Sequence, residues 1–250
     1  INKVKLVPYV TYDLELKTGL NLIGVPLYLF KGQPSTAKAL LAKLPGGSPA
    51  ISRYVTSTGV QESITRAISG QYVGAADFNL AIEEGYFVRV NSSNNITLDG
   101  RAYTRNIPVI QFPGSGQYFV SRPAQDASLF RSWDANSVLK SVSGIKAIFR
   151  YNATLQEYRE YFRQETGGYG GENFGIDVGQ GYIFEVTAAS SWDPNSSGAL
   201  LASDNSGSGS MPSIRLDLPS KTGSGDAFVL RTSNITSRSE ERRVGKECTI

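Results

Sequence analysis

The chain carries one sequence pattern twice. Gly19-Leu20-Asn21-Leu22-Ile23-Gly24-Val25-Pro26 returns 97 residues later as Gly116-Gln117-Tyr118-Phe119-Val120-Ser121-Arg122-Pro123. At the same offset, Ile51-Ser52-Arg53-Tyr54 returns as Ile148-Phe149-Arg150-Tyr151, and Gly70 to Gly74 returns as Gly167 to Gly171. Asp77 to Ile82 with Gly85 to Val90 returns as Asn173 to Val178 with Gly181 to Val186, offset by 96. Such a period exceeds the roughly 20–50 residues of a solenoid unit. It fits tandem globular domains, each with a modest core of its own. Turn glycines and alternating apolar residues recur, whereas Glu84 becomes Gln180 and Arg89 becomes Glu185. The duplication therefore speaks for architecture more than for chemistry.

Periodicity places the elements. Residues 4–16 alternate and are rich in Val, Leu and Tyr, which predicts a strand, and Leu20 to Leu27 predicts another, apolar enough to be buried on both faces. Ser35 caps a short helix that runs to Leu44 and stops at Pro45-Gly46-Gly47. Ile51 to Val55, Asp77 to Ile82, Tyr86 to Val90 and Ile96 to Leu98 read as strands, with a turn at Asn94-Asn95. The second copy repeats the script with strands at Ile107 to Phe112, Gln117 to Arg122, Ile145 to Tyr151, Phe174 to Val178 and Tyr182 to Val186. Its helix begins at the cap Asp134 and passes through Val138, Leu139 and Val142, while Thr154 to Gln164 fits helix or strand. Ile214 to Leu218 and Phe228 to Arg231 predict two further strands.

The expected fold is mainly β (α+β): two tandem β-rich domains, each with one short helix, followed by a truncated β-sandwich-like segment. The first domain spans 1–112 and the second 113–189; 190–212 is a Ser/Gly/Asn linker and 213–237 opens a further β-domain. Arg238 to Cys248 resembles the translation of a short-read sequencing adapter, so 238–250 is set aside from fold reasoning. That segment holds the single cysteine, and the chain has no histidine. His-based triads, Cys nucleophiles and Cys/His zinc sites are thereby excluded from residues 1–237. The net charge of +3 is spread along the chain without a basic run, which argues against a nucleic-acid partner. No apolar stretch has the ~18–20 residues of a membrane span. No signal peptide is visible, and with Ile1 first an export signal would lie upstream.

Two motifs carry a resemblance. Thr18-Gly19-Leu20-Asn21-Leu22-Ile23-Gly24-Val25-Pro26-Leu27 resembles the "GWNLISLPL" opening of a tandem repeat of secreted and surface-displayed bacterial and archaeal proteins. Asp77-Phe78 through Glu84-Gly85-Tyr86-Phe87-Val88-Arg89-Val90 resembles its closing "F-x-L-x-x-G-K-G-Y-W-V" pair. Ala39-Leu40-Leu41 and Arg53-Tyr54 match its helix and its "hydrophobic-Y-D" strand, and the likeness extends over residues 15–100 and, in a looser form, 113–189. Leu20 stands where that pattern has Trp, and Phe87 and Ile183 hold the Trp position of the closing pair. The resemblance implies a secreted or cell-surface setting beside fibronectin type III or other β-sandwich modules, the first strands of which Phe228 to Thr236 resembles. It implies no catalytic residues and no cofactor.

Few residues suggest chemistry. Tyr72 and Tyr169 sit in equivalent Gly-flanked loops, where an aromatic face stacks on a sugar ring or folds over its own β-layer. Tyr86 and Tyr182 alternate within strands and read as core. Asp193, Asn195, Ser197 and Asp204 have the oxygen spacing of a Ca²⁺ loop; a polar linker gives the same composition, and Pro194 and the missing exit helix favour the linker. Glu83-Glu84, Glu62 and Glu157 are the carboxylates for a histidine-free glycosidase, yet none keeps its place in both copies. Asn91, Asn95, Asn152, Asn195 and Asn234 lie in N-x-S/T sequons. The expected function is a non-catalytic extracellular structural or adhesion module of a larger prokaryotic protein. Its partners would be polysaccharide, a cell-surface protein or other domains of the same chain. The alternative is a carbohydrate-binding accessory region of a secreted hydrolase.

Overall fold

The computed structural model describes residues 9–103, 107–125 and 132–196, together with the strand backbones of 214–216 and 230–232. The expected linker beyond 196, the remainder of the third β-segment and the 238–250 tail lie outside the described residues. In the first repeat the strands are β1 (Val10–Leu16), β2 (Gly19–Gly24), β3 (Tyr28–Leu29), β4 (Ala50–Val55), β5 (Val60–Arg66), β6 (Tyr72–Gly74), β7 (Gly85–Val90) and β8 (Asn94–Arg101), with helix α1 (Ala37–Lys43) after β3. The second repeat supplies β9 (Ile110–Phe112), β10 (Gly116–Ser121), α2 (Ala135–Ser141), β11 (Ile145–Asn152), β12 (Glu157–Arg163), β13 (Tyr169–Gly171), β14 (Gly181–Val186) and β15 (Ser190–Trp192). Beyond these, β16 (Ile214–Leu216) pairs antiparallel with β17 (Leu230–Thr232).

The protein is mainly β, and the two repeats build the same antiparallel sheet. Its order is β2-β7-β4-β5-β6 in the first and β10-β14-β11-β12-β13 in the second. One face of each sheet is covered by the short helix and a small strand layer: β1-β8-β3 in the first repeat, β9-β15 in the second. Alternation puts Ile51, Ile64, Tyr86 and Val88 on that face, against Leu40 and Leu41 of α1 and Leu14, Leu16, Ile96 and Leu98 of the outer strands. Ile148, Tyr182 and Phe184 do the same beneath Val138, Leu139, Trp133 and Trp192. Because β9 pairs with β15 and both Phe112 and Trp192 enter this core, the second unit draws strands from either side of 113–189. The Ser-rich stretch after 189 thus begins as a strand.

Both helices are seven residues long, too short to persist without packing and caps. Asp134 caps α2 as the sequence indicates, its carboxylate accepting from Ser137 N–H at 2.6 Å. For α1 the cap is Thr36 rather than Ser35: its hydroxyl accepts from Ala39 N–H at 3.3 Å. The burial of Ala37, Leu40, Leu41 and Leu44 sets that frame, one residue later than the Ser-Thr pair alone suggests. Arg66 closes the other end of α1 by donating to the carbonyls of Leu41, Leu44 and Pro45. Arg163, its counterpart 97 residues on, donates to those of Val142 and Ile145. These cations answer the unsatisfied carbonyls and negative end of each helix.

Asp77 to Ile82 and Phe174 to Val178 are not strands. Each is an irregular segment whose carbonyl, at Phe78 or Phe174, accepts the first helical amide at Ala37 or Ala135. Phe78, Ile82, Phe174 and Ile176 are buried, so the alternation reports burial while the helix start and its preceding loop take the backbone hydrogen bonds. Within Thr154 to Gln164, Glu157–Arg163 is strand β12 after a turn, and Asn94-Asn95 begins β8 rather than forming a turn.

The second faces of the two sheets meet each other. Leu22, Phe87, Tyr151 and Ile183 are buried there, with Leu20, Phe119 and Phe149 packed around them. Phe87 stands edge-on to Phe119 at 5.3 Å and to Tyr151 at 6.1 Å, and Tyr54 stacks on Phe119 at 5.5 Å. Two backbone bonds stitch the edges: Gly24 N–H to Gly179 carbonyl and Ser121 N–H to Glu83 carbonyl, both 2.8 Å. Each bond is the other with the repeats exchanged, the pattern of a twofold, isologous contact.

Candidate functional site

The recurring polar side chains hold backbone. The Tyr86 hydroxyl accepts from Ala81 N–H at 2.6 Å, and that of Tyr182 accepts from Asp177 N–H at 2.7 Å and donates to the Gly175 carbonyl. Both rings are fully buried, as their alternation indicates, and burial drives both phenols well above their ordinary pKa. Asp77 accepts from Lys38 N–H, and Asn173 from Asn136 N–H, at the starts of the two helices. Arg122 replaces Val25 in the second copy and is 2% exposed. It donates to the Ile176 carbonyl at 3.0 Å, and loss of solvation lowers its guanidinium pKa to about 10. At neutral pH it remains a cation.

Tyr72 and Tyr169 lie on β6 and β13, the far edge of each sheet, so they form two separate surfaces. The Tyr72 hydroxyl donates to the Lys38 carbonyl at 3.2 Å, and Lys38 Nζ lies 5.6 Å from its ring. Tyr169 is parallel to Tyr161 at 5.9 Å, with Arg163 and Lys140 within 6 Å of its ring. Each leans toward the helix of its own repeat.

The oxygens of the candidate calcium loop that are described are turned inward. Asp193 Oδ1 accepts from both the backbone and side-chain N–H of Asn195. Asn195 Oδ1 accepts from Ile107 N–H and Gln125 Nε2, and its amide donates to the Ile107 carbonyl. Ser197 and Asp204 lie outside the described residues, as does the sequon residue Asn234. Among the described residues no three acidic, His or Cys side chains gather as a metal site. The carboxylates are likewise spoken for: Glu62 pairs with Arg53 at 2.7 Å, while Glu83 and Glu84 accept from the hydroxyls of Tyr103 and Tyr86. Glu157 is exposed at the start of β12.

One concavity is built from both repeats. It encloses about 190 Å³ between the ends of β4 and β7 and the strands β9 and β10. Arg53, Tyr54, Thr56, Glu83 and Glu84 of the first repeat and Gln111 and Phe119 of the second are among its lining residues. The volume is below the ~300–1,000 Å³ of drug-sized sites, and its charged lining residues are already engaged, Arg53 with Glu62 and Glu83 and Glu84 with tyrosine hydroxyls. Sequence reading missed it because its walls come from positions some 60 residues apart. The available signal was the exchange of Glu84 for Gln180 between copies.

No protein-family model matches the chain, and no curated protein or solved structure matches it either. No helix among the described residues is long and apolar enough to cross a membrane.

Proposed function

We propose that the chain is a non-catalytic structural and adhesion module of a larger secreted or surface-anchored prokaryotic protein. Its two repeats act as one stiff unit. The observation that carries this reading is where the duplicated residues go. Arg66 and Arg163, Tyr86 and Tyr182, Asp77 and Asn173 all bind backbone, while the outward apolar residues of both copies are spent on each other. Selection for rigidity accounts for that economy. The positions where the resembling repeats carry Trp are part of it: Leu20, Phe87 and Ile183 all lie in the joint between repeats. Fractionation of source cells, with detection of the full-length protein, tests the reading. Recovery from the surface or the medium is expected; recovery from the cytosol alone would overturn it. The second reading, a carbohydrate-binding accessory region of a hydrolase, draws support from the inter-repeat cleft.

A further inference from the structure

The duplication supplies a control for each surface residue, and one surface of the second repeat departs from it. In β12, Tyr161 donates to Asn136 Oδ1, and Arg163 donates to the Val142 and Ile145 carbonyls, so these two side chains face α2. Strand alternation turns Tyr158, Glu160 and Phe162 to the opposite face. That face enters the joint between the repeats at Tyr151, against which Tyr158 packs edge-on at 5.0 Å. The row itself lies outside the joint: Tyr158 is 51% exposed, Glu160 is exposed and Phe162 is half-buried. At the same positions of β5 the first repeat has Gln61, Ser63 and Thr65.

The neighbouring strand changes in step. Phe162 stands opposite Gly170 of β13, where the first repeat pairs Thr65 with Val73. A Cβ at Gly170 would lie 2.7 Å from Phe162 Cζ and 3.0 Å from Gln164 Nε2, so any side chain there would push the ring aside. Gly170 has no positive φ, so this close approach, and not backbone conformation, accounts for the glycine. The Phe162 ring borders a shallow depression of about 530 Å³, lined also by Lys146, Glu160, Gln164, Glu165 and Thr166. That volume falls within the ~300–1,000 Å³ of small-ligand sites. Neither Glu160 nor Glu165 is in an ion pair among the described residues, while Lys146 is shared with Glu185 at 3.1 Å.

We propose that this face of β12 binds a neutral, extended, β-linked hexose chain. One pyranose lies on the Phe162 ring, because a sugar with equatorial substituents offers a flat C–H surface to an aromatic face. Its hydroxyls donate to Glu160 and Glu165 and exchange hydrogen bonds with Gln164 and Thr166, all of which line the depression. The chain continues along the strand past Glu160 to Tyr158, four residues and ~13 Å away. Two rings on one straight strand suit an extended chain and not a coiled, α-linked one. Lys146 on the rim opposes a cationic ligand, and the two carboxylates oppose an anionic one. The inference rests on the adhesion reading and gives it a ligand class.

The test is an amide-resolved NMR titration of the whole chain with cellohexaose, its α-linked isomer maltohexaose, and spermine. Cellohexaose should give saturable shifts at Tyr158, Glu160, Phe162, Gln164 and Thr166, and the other two should bind at least tenfold more weakly. Tyr158→Gln and Glu160→Ser install the first repeat's residues at exposed positions, and each should weaken binding at least fivefold while the thermal midpoint holds. A ring over a strand glycine also supports strand pairing, so Phe162 is probed by two changes. Phe162→Thr should abolish binding, and Phe162→Tyr, which keeps the ring, should retain it. No shift with cellohexaose, shifts confined to the cleft between the repeats, unchanged affinity in both Tyr158→Gln and Glu160→Ser, or equal binding of maltohexaose or spermine would each overturn the site. None of these results touches the rigid pairing of the repeats, tested through Phe87, or the surface location, tested by fractionation.

Discussion

If the repeats form one unit, a change in the first must be felt in the second. Phe87 is the residue to perturb, because it lies on β7 of the first repeat while its ring contacts belong to the second, Phe119 and Tyr151. Phe87→Ala removes a side chain that is 7% exposed and leaves a hole between two sheets that cannot collapse independently. Burial and cavity terms for such a change come to about 3–5 kcal/mol, of which each edge-to-face aromatic pair accounts for roughly 0.5–1.5. Both described tryptophans, Trp133 and Trp192, lie in the core of the second repeat, packed edge-to-face at 5.7 Å. Tryptophan fluorescence therefore reports the repeat that was not mutated. In urea, with a slope of about 3 kcal/mol per molar, the expected loss shifts the tryptophan midpoint down by about 1 M or slightly more. A Phe87/Phe119 double-mutant cycle should return a coupling of about 0.5–1.5 kcal/mol. A tryptophan transition that Phe87→Ala leaves in place would refute the reasoning, and the repeats would be independent beads.

Arg66→Met should destabilise by about 1–2 kcal/mol, since it removes the guanidinium donor from three carbonyls at the end of α1, of which Leu41 keeps the Leu44 amide, and should speed amide exchange in that helix; Arg66→Lys should not rescue it, because one ammonium cannot reach like a guanidinium fork. Tyr182→Phe removes the hydroxyl partner of Asp177 N–H and of the Gly175 carbonyl at a part-buried corner, so calorimetry should record a loss of about 1–2 kcal/mol. In alkaline solution, Tyr12 has its pKa raised by burial to about 12 from 10.0, with Asp177 adding to the effect. The unfolded state thus loses its proton first, and this stabilisation, intact below pH 10, drains away between pH 10 and 12; Tyr12→Phe should flatten that part of the pH–stability curve. Calcium should leave the thermal midpoint where EDTA leaves it, because Asp193 and Asn195 are already bonded to the chain; a calcium-dependent rise would show that they bind metal.

The local frame was legible in the residues. A near-constant offset identified the duplication, Asp134 announced its helix, and alternation placed Tyr86 and Tyr182 inside. The apolar doubling of Leu20 to Leu27 even signalled a strand covered on both sides. Polar strands were harder: β5, Val-Gln-Glu-Ser-Ile-Thr-Arg, buries only Ile64, so it carries almost no periodic signal and is held by pairing with β4 and β6. Asp77 to Ile82 misled in the opposite way, since alternation records which side chains are buried and not which backbone groups pair.

Sequence alone determined that the protein is a duplicated β-rich scaffold, because hydrophobic period, turn glycines and caps act over a few residues and can be read in order. Only the tertiary structure decided that Leu22, Phe87, Phe119 and Ile183 cover one another and that Tyr72 and Tyr169 lean on their helices. A strand's pattern states that a face must leave water; it does not name the face that receives it. That choice belongs to contacts between distant segments. The Gln156 side chain holds Leu20 only because β2, some 136 residues away in sequence, passes beside it.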